Sequence, residues 1–138
     1  MEGHAIDAVL ARADVPATAL PAPPALGIAV VTCMDARIDP LAVLGLAAGD
    51  AHVIRNAGGV VTDDVIRSLA LSQTGLGTRE VLVAQHTGCG AHPPDVDLEA
   101  SVREAVRALR EADGIPHRDR VRGAVIDLVS GGVRPVAA

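Results

Sequence analysis

No phenylalanine, tyrosine or tryptophan occurs among the 138 residues of this chain, and no lysine. Without aromatic rings, which bury the largest areas per side chain, the core has to be assembled from Leu, Val, Ile and Ala. Apolar residues still make up 49% of the chain, enough for one domain with a real core and no disulfide support. A core of small side chains gains little area per contact, so further burial across a subunit interface would help it. A net charge of −5 argues against a nucleic acid or an anionic membrane as partner. No apolar run reaches 18 residues, so no transmembrane helix is expected. The first twenty residues carry Glu2, Asp7 and Asp14 and show no basic start followed by an apolar stretch, so no secretion signal is expected and the cytoplasm is the default compartment. Two cysteines are too few for a disulfide framework and fit a reducing compartment.

The arginines Arg103, Arg107, Arg110, Arg118, Arg120 and Arg122 cluster in sequence, but Glu99, Glu104, Glu111, Asp113 and Asp119 are interleaved with them. That mixture reads as a solvated, salt-bridged face.

Ile6, Val9 and Leu10 recur at helical spacing within residues 5–13, followed by Pro16, Pro21, Pro23 and Pro24 among alanines. Residues 1–25 therefore read as a helix and an extended proline-rich arm; the helix has little of its own to pack against, so it either docks on a partner subunit or frays as a tail. From Leu26 onwards, residues 26–138 alternate strands with helices. The run 26–32 is a continuous apolar strand of the parallel kind. Asp39 and Pro40 open a helix as N-cap and first residue, ending near Gly45 to Gly49. Residues 51–55 form a second strand, Gly58-Gly59 a turn, and Thr62 caps a helix with Asp63 and Asp64 in its first turn, closed by Gly75 and Gly77. Residues 79–85 form a third strand. Val102, Val106 and Leu109 mark an amphipathic helix over 96–112. The segments 121–129 and 133–137 flank Ser130-Gly131-Gly132 as a hairpin. The fold class is α/β, a parallel sheet with right-handed crossovers and one antiparallel edge strand.

Both cysteines fall in chemically loaded strings, Cys33-Met34-Asp35-Ala36-Arg37 and His86-Thr87-Gly88-Cys89-Gly90. Taken singly, Cys33 reads as a small buried hydrophobe and Asp35-x-Arg37 as a loop ion pair. The two cysteines could also bond to each other, which a reducing compartment opposes. Together, at the ends of the first and third strands, they read as the Cys33, His86, Cys89 ligand set of a catalytic zinc, with the fourth position open. In an open α/β sheet such residues converge where the strand order reverses. Gly88 and Gly90 allow a tight turn around the metal. Arg37 is spaced to grip Asp35 with its fork, keeping that carboxylate ionised and off the zinc. Released, Asp35 would become the fourth ligand and shut the site. His92 is read as a surface-loop residue, and His4, His52 and His117 as structural or exposed. No H-x-E with P-C-x-x-C and no complete G-x-G-x-x-G is present, which sets aside zinc deaminases and nucleotide-dependent alcohol dehydrogenases, and no organic cofactor is signalled.

These strings, with Arg55-Asn56-Ala57-Gly58-Gly59 between them, resemble the β-class carbonic anhydrases, most closely the short actinobacterial members. The family's C-x-D-x-R falls on Cys33, Asp35 and Arg37, its R-N-A-G on residues 55–58, and its H-x-x-C on His86 and Cys89. The likeness runs from about Leu26 to Gly90 and returns at 121–137. It implies a sheet of order 2-1-3-4 with an antiparallel fifth strand. It implies reversible hydration of CO2 to bicarbonate and a proton by a zinc-bound hydroxide, with the Asp35–Arg37 dyad orienting it or gating the fourth zinc position. Gly58, Gly59 and Gly88 would supply cleft backbone. The assembly implied is a homodimer or dimer of dimers, with the N-terminal helix across the partner. The chain departs from the pattern in three places. Gly90 leads almost directly into the next helix, so part of the cleft wall is expected to be missing. Ala47 stands where plant-type members have a substrate-side Gln, and the Trp and Tyr of the bacterial bicarbonate-inhibition site are absent. Hydrolysis of a CO2-like molecule, carbonyl sulfide or carbon disulfide, is the enzymatic rival reading, and a non-catalytic zinc-bound scaffold the reading from another class.

Overall fold

Five strands form one sheet in the order β2-β1-β3-β4-β5 in the computed structural model, which describes residues 3–13 and 19–137. Pro16 of the proline-rich arm lies outside the described residues. The elements are α1 (Ala5–Arg12), β1 (Ile28–Cys33), α2 (Pro40–Val43), β2 (Ala51–Asn56), α3 (Asp63–Leu76), β3 (Glu80–His86), α4 (Leu98–Arg110), β4 (Val121–Ile126) and β5 (Val133–Val136). The first four strands of that order pair in parallel and β5 pairs antiparallel with β4, as the strand–helix alternation and the hairpin predicted.

β1 is buried along nearly its whole length, as a central strand covered on both faces must be. Alternate residues point to opposite faces. Ala29, Val31, Val81 and Val83 face Val65 and Leu69 of α3 and Val102, Val106 and Leu109 of α4 in one aliphatic core. The other face carries a smaller cluster of Ile38, Ala84 and Ile126. In place of rings, close approach supplies the density. Gly123 in β4 lies so near Val102 and Val106 that a Cβ there would collide with both, so α4 packs almost onto the sheet backbone.

Helix ends follow the capping residues. The side chains of Asp39, Thr62 and Asp97 accept hydrogen bonds from the backbone N–H groups of Ala42, Val65 and Ala100. α3 ends at Gly77, whose φ of 78° is left-handed; Gly75 lies inside the helix, so one glycine closes it. α2 is a single turn, shorter than predicted, because Leu44 and Gly45 leave the helix together. β4 stops at Ile126, three residues early, since Asp127 Oδ1 accepts from the N–H groups of Val129 and Ser130 and turns the chain.

Among the arginines, Arg103 pairs with Glu99 and Arg118 with Asp113, as the interleaved charges suggested, whereas Arg120 reaches Glu80 of β3 and Arg110 donates to the Val121 carbonyl. Helix α1 has no buried residue, and Ile6, Val9 and Leu10 stand exposed.

Candidate metal centre

The chain passes from β1 outward to β2 and returns to β3 on the other side of β1. The carboxyl ends of β1 and β3 therefore open onto the crevice where strand order reverses. Cys33 is the last residue of β1 and His86 the last of β3. Cys89 reaches them from the turn three residues beyond His86, where Gly88 has a left-handed φ of 65°. The Sγ atoms of Cys33 and Cys89 and a ring nitrogen of His86 lie within 4.8 Å of one another.

The donor set fits a tetrahedral soft cation. The two sulfurs are 3.8 Å apart, the edge that zinc–sulfur bonds of about 2.3 Å span at a tetrahedral angle, about 3.8 Å. His86 is fully buried. Its Nδ1–H donates to the Thr87 carbonyl at 2.8 Å, the outer hydrogen bond typical of a ligating imidazole. Its Nε2 is buried and has no hydrogen-bond partner among the described residues, and it lies 3.6 Å from Asp35 Oδ2. With Nδ1 engaged by the Thr87 carbonyl, the other ring nitrogen of His86 is left facing the two sulfurs, a set of donor atoms that a soft cation would bridge. Burial pushes the Cys89 thiol up, the Ala91 N–H pulls it down and neighbouring Cys33 raises it further. A cation between the sulfurs reverses that balance.

Asp35 sits beside the cluster and is held away from it. Arg37 Nε lies 3.0 Å from Oδ1 and Nη2 lies 2.6 Å from Oδ2, a two-pronged contact, and the Arg37 backbone N–H donates to Oδ1 at 2.8 Å. These bonds from Arg37 hold the Asp35 carboxyl far below the usual carboxylate range, and in return raise the guanidinium. Arg37 Nη2 also donates to the Gly88 carbonyl at 3.0 Å, joining the dyad to the turn that carries Cys89.

Arg55 and Asn56, which in sequence are only part of the Arg55–Gly59 string, hold the loops around the cluster. The Arg55 guanidinium donates to the carbonyls of Cys33, Asp35 and Ile38 at 2.8, 2.8 and 3.1 Å, so one side chain shapes the segment that bears Cys33, Asp35 and Arg37. Asn56 closes the glycine turn from both sides, donating to the Val60 carbonyl and accepting from the Val60 N–H. Inside that turn the Gly58 N–H donates to Cys33 Sγ at 3.4 Å. Gly59 (φ 63°) leaves no room for a side chain, since a Cβ would lie 3.1–3.2 Å from backbone atoms of Cys33, Thr32 and Ala84. His92 is half-buried rather than free in a surface loop, with Nε2 3.2 Å from the Gly58 carbonyl. His52, for which the sequence offered no partner, has Nδ1 2.7 Å from Ser72 Oγ, away from the cluster. A cavity of about 380 Å³ lies over the site, lined by Cys33, Met34, Asp35, Ala57, Cys89, Gly90 and Ala91. The residues between Gly90 and α4 form no helix, matching the short segment predicted there.

Fold and site together define an α/β protein with a Cys2His cluster that could hold a metal ion in a cleft at a sheet switch point. A family model described as carbonic anhydrase matches residues 28–119. Beta-carbonic anhydrase 1 of Mycobacterium tuberculosis is 40% identical over 143 aligned residues, 85% of this chain and 86% of that protein. The crystal structure of carbonic anhydrase from Streptococcus mutans superposes with a TM-score of 0.84 at 40% identity, covering 96% of this chain and 95% of that one. A carbon disulfide hydrolase of Acidianus is 52% identical over 61 residues, which is 44% of this chain and 30% of that protein. The chain belongs to the β-carbonic anhydrase family.

Proposed function

We propose that this chain catalyses the reversible hydration of CO2 to bicarbonate and a proton, with zinc held by Cys33, His86 and Cys89. A zinc ion in such a site supplies Lewis acidity and brings the pKa of a water at its open position to about 7. The observation that carries the reading is the Asp35–Arg37 pair: the carboxylate is next to the ligand cluster but bonded to the guanidinium at 2.6–3.2 Å, so it leaves the fourth position clear. Held ionised, Asp35 accepts a hydrogen bond from the reacting oxygen and orients its lone pair toward the carbon. Arg37 fixes the carboxylate and, through Gly88, keeps it in register with Cys89. Ala57, Met34 and Ala91 give the cleft apolar wall suited to an uncharged linear substrate. A structural zinc would need four closed protein ligands, which this arrangement does not provide, and that weighs against a scaffold.

The test is stopped-flow CO2 hydration with a pH indicator on protein whose zinc content has been measured. Turnover well above the uncatalysed rate is expected; background rates from a chain carrying one zinc reject the reading. The second reading is hydrolysis of carbonyl sulfide or carbon disulfide, favoured by the matches to carbon disulfide hydrolases. The same protein assayed for sulfide release decides between them.

We further propose a cytoplasmic homodimer, or a dimer of dimers, in which α1 lies on the partner. Support comes from the exposed Ile6, Val9 and Leu10 and from an open cavity at the sheet, lined by Ile28, Leu82, Val133 and Pro135. Deleting residues 1–25 is expected to convert the assembly to monomer in sedimentation.

A further inference from the structure

Gln85 is the least explained residue near the cluster. It is 1% exposed on β3, directly before His86 and after the aliphatic run Val81–Ala84. Its Oε1 is buried with no hydrogen-bond partner among the described residues. A buried carbonyl without a donor is a local cost, and an apolar residue of similar size would avoid it. What Gln85 does make is one bond: Nε2 donates to the Gly59 carbonyl at 3.3 Å. Gly59 belongs to the turn whose preceding N–H, that of Gly58, donates to Cys33 Sγ.

We propose that Gln85 is a positioning residue for the metal centre, tethering the Gly58–Gly59 turn so that the Gly58 N–H stays on the Cys33 thiolate. The inference rests on Cys33 being a metal ligand. An N–H aimed at a thiolate draws electron density from the sulfur, which weakens its donation to the metal. The turn is positioned at three points: Asn56 closes it, His92 lies against the Gly58 carbonyl and Gln85 holds the Gly59 carbonyl. Gln85 is the tether that comes from the strand carrying His86, so it ties the hydrogen bond on one ligand to the strand of another. Its position before His86 and its unpaired carbonyl both follow: the side chain is oriented for the turn, and nothing is left to satisfy its oxygen.

The experiment replaces zinc with cadmium-113 in the full-length protein. A hydrogen bond to a ligating sulfur transmits scalar coupling from the amide proton to the metal nucleus. The Gly58 amide is expected to show such a coupling in the wild type, and Gln85→Met to lose at least half of it while still binding one cadmium per chain. In the cobalt protein the sulfur-to-metal charge-transfer band is expected to move to longer wavelength in Gln85→Met, because the sulfur becomes the stronger donor. Val83→Ala, a core change in the same strand with no link to the turn, is expected to leave both signals unchanged. A wild-type protein that binds cadmium without a Gly58 coupling overturns the proposal, and so does a Gln85→Met protein with wild-type coupling and band position. Should Gln85→Met fail to fold, the wild-type coupling alone still decides whether the bond exists, and Gln85→Leu takes the variant's place. Absence of cadmium binding would instead overturn the ligand assignment itself.

Discussion

Arg37 and Asp35 are locked together by the fork of the guanidinium, the Arg37 backbone N–H on Asp35 Oδ1 and a further bond from Nη2 to the Gly88 carbonyl. The pair spans one turn of chain and bridges the segments that carry Cys33 and Cys89. Asp35 Oδ2 is nonetheless only 3.6 Å from His86 Nε2, so the contact with Arg37 separates a carboxylate beside a metal site from a carboxylate bound to one.

Asp35→Asn should keep the metal and lose the chemistry. The amide has nearly the same shape but cannot accept the same strong hydrogen bond from the reacting oxygen, and a positioned acid–base group contributes about 10²–10⁴-fold. A fall of that size in CO2 hydration, with elemental analysis still at one zinc per chain, is expected. Unchanged turnover would remove Asp35 from the mechanism.

Arg37→Leu tests the gate. Without the fork, Asp35 is free to rotate into the fourth position, and the cluster becomes a closed four-ligand site. Metal retention should stay the same or rise while turnover falls to background. In the cobalt-substituted protein, azide or thiocyanate should perturb the visible spectrum of the wild type and leave that of Arg37→Leu unchanged. A variant that binds those anions as the wild type does would show that Asp35 stays off the metal without help.

The strands, the helix starts and the positions of Cys33 and His86 at strand ends were readable from the chain because each rests on a short-range rule, whereas the strand order came from the family resemblance. Apolar runs of β-branched residues marked the strands. Caps at Asp39 and Thr62 marked helix starts, and Cys33 and His86 fell at strand ends where an α/β sheet gathers its ligands. What stayed hidden depends on contacts between distant segments. Gln85 looks like one polar residue in an apolar strand until its amide is seen on Gly59, 26 positions away. Arg55 gives no sign in sequence that it will collect three carbonyls from another loop. His92 read as exposed because the loop that carries it folds back over Gly58, and no local pattern encodes that fold-back. The early end of β4 was hidden differently, since Asp127 had been absorbed into an apolar run although its side chain starts the turn.

Gly59 and Gly77 both have left-handed φ values, 63° and 78°, yet their substitutions should differ. A Cβ at Gly77 meets nothing within 4 Å, so Gly77→Ala costs only the backbone strain, about 1 kcal/mol. At Gly59 the same atom would press on backbone of Cys33, Thr32 and Ala84, none of which moves without disturbing the sheet. Strain and overpacking together put Gly59→Ala at about 2–5 kcal/mol. Urea unfolding measures both, and zinc retention against a chelator should fall for Gly59→Ala alone. Equal costs at the two glycines would mean that the close packing under the metal loop relaxes easily.

Asp127 offers a pH test remote from the metal. Backbone N–H groups of Val129 and Ser130 lower its carboxyl from the ordinary value, with Arg134 adding to the effect. A group whose folded value lies below its unfolded one stabilises the fold above the unfolded value, about 3.9 for aspartate. That contribution disappears as pH falls through the folded value. Asp127→Asn keeps an acceptor for the turn and removes the charge, so the wild type should be the more stable protein at pH 7 and the difference should shrink steadily below about pH 4. Acid release of the metal lowers both curves alike and cancels in the difference. Urea midpoints of the two proteins at a series of pH values read this directly. A gap as wide at pH 3 as at neutrality would mean that the carboxylate's charge contributes nothing to the β4–β5 turn.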